Sequence, residues 1–396
     1  MKKISRINIC LSACFLLLFT ACKKQGPSID DYFLNYKIPE VPVKADYTVG
    51  AFYYVNTAAF NANVKYTPLA GKYISSTTTG IPAATIQMHI EEAAAAKIDY
   101  FIFTIRSKTF EAANFKTDTT MLHSFLTAPN VSKMHFAIQF QFTATNYGVT
   151  LTGNNDANGN PRGTPIEANA AKLAGFYADM EAVGNFMSNP NYQKINGKPV
   201  LLINKAQDMN SNMDAANPGS MQPLFAEVRK RLSALGADAY IIGEQDNWTA
   251  PNNFFYKYQN SFDALYEANM VDNKGILDRN YLFGQMVDQN WAYWKQQLES
   301  WPAGGLTPGQ KKMEFVPCIQ AAYNYQIQAP TNTNLSITRS ADWYKTYTNV
   351  AKRNASGSRL ILVDSFNNFQ FDTQIEPTQE YGTTFMDITR QAFKLN

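Results

Sequence analysis

Six carboxylates fall close to the C-terminal ends of segments that read as strands: Glu244, Asp246, Glu267, Asp364, Asp372 and Glu376. Cleavage of a glycosidic bond is one reaction such a set serves. It needs an acid and a base or nucleophile flanking the bond, at roughly 5 to 9.5 Å depending on the stereochemical outcome. Glu244, beside Asp246, Asn247 and Trp248, is the leading candidate, with Glu267 and Asp372 next, and no two of them stand out as a pair. Each has a plainer reading: a solvated or salt-bridged loop acid for Glu244, a turn aspartate for Asp372, loop support for Glu376. The aromatic side chains of Tyr53, Tyr54, Trp248, Tyr323 and Phe369 offer flat apolar faces for a sugar ring, and Gln141, Asn204, Asn269 and Asn367 offer amides for its hydroxyls. Core packing and backbone capping are the competing readings of those residues.

Positioning such groups requires a scaffold that gathers strand ends. Eight short apolar, β-branched or aromatic runs recur along the chain: 47–54, 100–105, 135–142, 200–204, 239–243, 262–266, 315–319 and 359–365. Many are nearly continuous in hydrophobicity, as expected of strands covered on both faces. Helical patterns lie between them. Ile86, Ile90, Ala93 and Ala94 form one stripe, with Pro82 at its opening; Leu173, Phe176, Met180, Val183 and Met187 form another. Leu224, Val228, Leu232 and Leu235 form a third, opened by Pro223 and closed by Gly236, and Phe385, Ile388, Ala392 and Phe393 mark a last helix. Eight alternations predict an α/β chain folded as a (β/α)8 TIM barrel, whose strand-to-helix loops build the face that carries active sites. A doubly wound open sheet fits less well, because no glycine-rich phosphate turn follows the first strand.

The N-terminus predicts export. Lys2, Lys3 and Arg6 precede an apolar run from Ile7 to Phe19, and Thr20-Ala21-Cys22 resembles a lipobox. The run is short for a spanning helix. The expected organisation is therefore a signal peptide over 1–21, a lipidated extended tether over 22–45 with Cys22 acylated, and a barrel over 46–396. That places the protein in the cell envelope, held to a membrane by lipid. Loss of Lys2, Lys3 and Arg6 with the leader leaves 32 basic against 32 acidic residues, which gives no electrostatic case for nucleic acid. Cys10 and Cys14 would leave with the leader and Cys22 would carry lipid. Only Cys318 then remains, too few for a disulfide framework, and it reads as a buried inert thiol.

Other signals are weak. Asp156 to Pro161, with Glu167 twelfth, imitates a calcium loop, but proline stands where the sharp turn needs glycine. His89, His123 and His135 lack ligand spacing, so neither a metal nor another cofactor is expected, and His89 reads as a surface or satisfied residue.

Four segments, taken together, resemble the glycoside hydrolase family 99 endo-α-mannosidases and the related WbsX-like proteins. They are Val49-Gly50-Ala51-Phe52-Tyr53-Tyr54, the stretch from Phe186 to Val200 with its Asn-Tyr and Gly-Lys-Pro, Phe315-Val316-Pro317, and Ser365 to Pro377 followed by Glu380-Tyr381-Gly382. The resemblance implies a (β/α)8 barrel acting on α-mannan or a related glycan by endo cleavage. It also implies two loop glutamates, one taking the proton of the sugar 2-hydroxyl and the other protonating the leaving oxygen. On the family's Trp-Asn-Glu-Trp-x-Glu-Gly pattern, those two positions are Asn368 and Phe371 here. An amide can hold a hydroxyl but cannot take its proton, and a phenyl ring does neither. The substrate-contact set expected is Tyr53, Tyr54, Gln141, Asn204, Asp246, Trp248, Asn269, Tyr323, Asn367, Asn368 and Glu376. The sequence thus supports a glycan-cleaving enzyme with a rearranged acid and base, or a glycan-binding lipoprotein without turnover, ahead of a purely structural barrel.

Overall fold

The computed structural model describes residues 29–55, 64–151, 163–245, 255–268, 282–300, 312–331 and 336–395. Its compact units are 1–38 and 39–396. In the first, α1 (Ile29–Asn35) is a seven-residue helix with the Asn35 side chain donating to the Asp31 carbonyl at 2.7 Å, where the sequence suggested an extended tether. The second begins earlier than the expected residue 46. Asn349 bonds both the Val41 amide (2.9 Å) and the Pro39 carbonyl (2.9 Å), which ties 39–41 into that unit.

Eight parallel strands alternate with helices in the second unit. They are β1 (Thr48–Tyr53), β2 (Tyr100–Ile105), β3 (His135–Gln141), β4 (Lys198–Asn204), β5 (Tyr240–Glu244), β6 (Ala264–Tyr266), β7 in two pieces (Glu314–Val316 and Cys318–Ile319) and β8 (Leu360–Val363). The helices are α2 (Ala83–Ala95), α3 (Ala112–Leu126), α4 (Ala170–Gly184), α5 (Gln222–Ala234), α6 (Phe255–Tyr258), α7 (Phe283–Ser300), α8 (Ala341–Asn354) and α9 (Thr384–Phe393). Neighbouring strands pair in order, and the first piece of β7 pairs with β6 while the second pairs with β8. The ring closes through β7, and the architecture is the (β/α)8 barrel read from the alternation. Pro317 splits β7 because proline brings no N–H to the ladder; its carbonyl still accepts from Leu362 at 2.9 Å.

Other departures from the sequence reading are local. Strand β4 starts two residues early because Ile195-Asn196-Gly197-Lys198 makes a tight hairpin, with Asn196 and Gly197 both at positive φ. Phe262 bonds back to the Tyr258 carbonyl, so β6 begins only at Ala264. Arg359 sits at φ 55 and cannot join β8. Gly236 closes α5 at φ 79, as expected of a left-handed cap. Met187 falls beyond α4, and Leu235 is exposed at the end of α5.

Alternation along each strand decides what the barrel contains. Its inner wall carries Tyr100 and Ile102, Val200 and Leu202, Tyr240 and Ile242, and Leu360 and Leu362, all in one buried cluster with Phe52, Ala137, Ala264, Val316 and Cys318. Gly50 belongs to the same face. A Cβ there would stand 2.3 Å from the Tyr100 ring, so only glycine admits that tyrosine. The barrel floor is therefore packed side chain, and the strands have polar residues to present only at their C-terminal ends.

Candidate functional site

One further step of the same alternation turns the wall polar. Past Phe52 comes Tyr54, past Ala137 comes Gln139, past Leu202 comes Asn204, past Ile242 comes Glu244, and past Leu362 comes Asp364. With Tyr266 and Ala268 these residues line a cavity of about 190 Å³ at the mouth of the barrel. That is below the roughly 300–1,000 Å³ of a site for a drug-sized ligand, and it suits a ring-sized polar group.

The two carboxylates come from β5 and from the end of β8, three strands apart round the ring, and their surroundings differ. Three donors converge on Glu244 Oε2: the Tyr266 hydroxyl at 2.5 Å, the Asn204 amide at 2.9 Å and the Gln139 amide at 3.3 Å. Gln139 also donates to the Tyr266 oxygen at 2.6 Å, so the three hold one another in place. Such a cradle suits an ionised acceptor. Asp364 accepts from the Tyr54 hydroxyl, and its Oδ1 is buried with no partner among the described residues. Burial pushes the Asp364 carboxyl from 3.8 up to about 6, against the opposing pull of Tyr54. Tyr54 is 39% exposed overall but turns its hydroxyl inward; burial and then Asp364 push that phenol well up. Gln320 lies at the inward period of β7 beyond Cys318, only 4% exposed, with its Nε2 unpartnered among the described residues. The Cys318 thiol is pushed well up by burial, then by Asp364, and stays protonated.

Of the candidates read from sequence, Glu244, Asp364, Tyr54 and Asn204 are brought to this cavity. Glu267 alternates to the outer face of its strand and accepts from the Trp291 indole at 3.1 Å, under α7. Asp372 is buried against Arg339, Nε to Oδ1 2.9 Å, and that guanidinium also binds the carbonyls of Asp372 (2.7 Å) and Gln374 (2.8 Å). Burial raises the Asp372 carboxyl while Arg339 opposes the shift, the signature of a structural pair. Gln141 shares the face of Gln139 one pleat further along, and Gln139 takes the place on the cavity lining. Asp246, Trp248, Asn269 and Cys22 lie outside the described residues, as does the calcium-like stretch through Pro161.

The last loop is a frame. The Asn367 amide accepts from the Tyr54 amide at 2.7 Å and donates to the Tyr54 carbonyl at 3.0 Å, a side chain imitating a strand partner. Asn368 is buried, its N–H on Ser365 Oγ at 2.7 Å. Phe371 stacks on Tyr325 and Tyr323, with ring centroids 5.4 and 6.2 Å away. Neither Asn368 nor Phe371 is among the cavity-lining residues, so the sequence register places the acid–base question at positions the cavity does not use. Phe369 is buried. Tyr53 and Glu376 point behind the wall: the Tyr53 hydroxyl meets His89 Nδ1 at 2.8 Å, and Glu376 meets His89 Nε2 at 3.2 Å and the Tyr73 hydroxyl at 2.7 Å. His89, read as surface or satisfied, is fully buried and satisfied. Gln139, Tyr266 and Gln320 were not singled out from the sequence. The available signal was period: a polar residue, or a tyrosine, two places beyond an inward apolar residue on each strand.

No protein-family model matches the sequence, and no curated relative does. Solved structures do. A glycoside hydrolase-like protein superposes with a TM-score of 0.76 at 24% identity, over 93% of this chain and 99% of its own. The barrel shares its fold with that protein. The GH99 endo-α-mannosidase of Bacteroides thetaiotaomicron follows with a TM-score of 0.55 at 14% identity, over 88% of this chain and 97% of its own. A GH5_18 protein of Bifidobacterium longum subsp. infantis gives 0.51 at 11% identity, over 89% and 80%. At these identities the likeness is one of fold.

Proposed function

We propose that this glycoside hydrolase-like barrel acts on glycans at the Glu244–Asp364 cavity, as an endo-acting O-glycosidase with α-mannan-like polysaccharide as its leading substrate class. The observation that carries the reading is the contrast between two carboxyls on one cavity. Asp364, with burial holding it near pH 6, supplies a proton to the departing glycosidic oxygen, while Glu244, held by three donors, serves as the carboxylate that attacks the sugar or activates water. Divergent environments of this kind are how two like side chains acquire opposite roles. Tyr54 lends its ring face to the sugar. The substrate class follows from the likeness to an endo-α-mannosidase barrel and from the segments that resemble that family. Lipidation at Cys22 would hold the enzyme at a membrane of the cell envelope, where polymeric glycans are met.

A glycan array probed with residues 39–396, with reducing-end detection on each hit, tests this reading. Release of reducing ends from α-mannan oligosaccharides is expected, and its loss in Glu244→Gln and Asp364→Asn. Binding without release would assign the cavity to recognition alone, and neither binding nor release would end the glycan assignment.

A further inference from the structure

Behind the barrel wall, between α2 and the loop after β8, three side chains aim at one point. We propose that His89, Glu92 and Glu376 form a binding site for one divalent transition-metal ion of the zinc class. Their nearest ligand atoms all lie within 4.8 Å of one another, and His89 Nε2 stands 3.2 Å from Glu376 Oε1. Nitrogen and oxygen ligands at about 2.0–2.2 Å from a tetrahedral ion stand roughly 3.3–3.6 Å apart, so the His89–Glu376 edge is already near its bound length. Glu92 would close the remaining ångström by a side-chain movement.

The outer contacts support the same assignment. Tyr53 holds His89 Nδ1 at 2.8 Å and Tyr73 holds Glu376 Oε2 at 2.7 Å. Each of these two ligands thereby has its far atom fixed and its near atom facing the other, with a Glu92 ligand atom within 4.8 Å, the arrangement by which outer partners aim metal ligands. Glu92 Oε2 is buried and has no partner among the described residues, a costly state that a cation relieves. Among the described residues no lysine or arginine bonds to Glu92 or Glu376, so the pair is short of positive charge. One imidazole with two carboxylates favours zinc, cobalt, manganese or iron over calcium and magnesium, which take oxygen ligands.

The ion would act at a distance from the cavity. Tyr73 accepts from Asn367 at 3.1 Å, and Asn367 clamps the backbone of Tyr54, so a filled site would stiffen the wall that carries Tyr54. The inference does not depend on the reading of the cavity as a hydrolase site.

Cobalt titration of the full chain, stripped of metal with EDTA and exchanged into chelator-free buffer, tests it. One equivalent of Co²⁺ should bind with visible ligand-field absorption, one equivalent of Zn²⁺ should displace it, and Zn²⁺ should raise the melting temperature. His89→Ala should abolish the band. As a control for unfolding by that buried change, Glu92→Gln, which keeps the shape, should weaken Co²⁺ at least tenfold. A folded chain that takes up neither ion, as it would if a proton shared by the carboxylates filled the gap, would overturn the site. Undiminished Co²⁺ affinity in folded Glu92→Gln would do the same.

Discussion

Asp364 and Glu244 differ in what burial has left them. Glu244 keeps three donors on one oxygen, whereas Asp364 has the Tyr54 hydroxyl and one oxygen with no partner among the described residues. A carboxyl moved from 3.8 to about 6 by burial costs up to about 3 kcal/mol when the folded protein must ionise it. The sign follows from the raised value: the preference of the fold for the protonated form is fully present below about pH 4 and is lost as pH rises through 6. Wild type should therefore lose up to about 3 kcal/mol relative to Asp364→Asn between pH 4 and pH 7.5. Urea unfolding of both proteins at several pH values checks this; a constant difference would mean that Asp364 ionises freely. At Glu244, the Gln variant should leave stability within about 1–2 kcal/mol while lowering turnover by roughly 10²–10⁴, a split that a purely structural role does not produce.

At the scale of elements, the loop after β8 is held by ion pairing and by side chains posing as backbone. Arg339 satisfies the Asp372 carboxylate and two carbonyls and packs over Phe385, centroid 4.5 Å away. Removing it leaves the buried carboxylate with only the half-exposed Lys65 ammonium, 4.0 Å away, so Arg339→Ala should cost about 3–5 kcal/mol by chemical denaturation, and a loss below 1 kcal/mol would mean that Lys65 or water takes over. On β1, Gly50→Ala should cost at least about 1–3 kcal/mol, because the added methyl meets the Tyr100 ring inside the packed floor. The strands themselves were legible from runs of apolar residues, and β2 was read to the residue. The frame of the loop was not: nothing local marks Asn367 as the partner of a backbone 313 residues away, or Asp372 as the partner of Arg339. For the same reason the carboxylates near strand ends could be named but not sorted. One residue of strand phase separates Glu244, inside, from Glu267, which alternates outward to Trp291.

The unit over 39–396 is a ring of strands whose ends are clasped together. The Tyr47 amide bonds the Phe393 carbonyl at 2.9 Å, their rings lie 5.7 Å apart, and Lys394 reaches Asp99 at 2.6 Å. Residues 39–45 add to the clasp through Asn349, Lys352 and Arg359. A chain starting at Pro39 should therefore match the stability of the longer protein, whereas one starting at Asp46 should lose roughly 1–3 kcal/mol, the worth of a few hydrogen bonds; equal melting curves for the two truncations would place the boundary at 46. Closure of the ring was readable from eight alternations, since no local feature had to be placed to better than a few residues. The polar mouth was not, because it depends on which face each strand turns inward.

The most direct measurement is the pH profile of reducing-end release from α-mannan oligosaccharides by wild type, Glu244→Gln and Asp364→Asn. Wild-type turnover should fall as pH rises above about 6, with both variants reduced by roughly 10²–10⁴. Turnover undiminished in the two variants, with the same alkaline fall, would place the chemistry elsewhere in the barrel and contradict it.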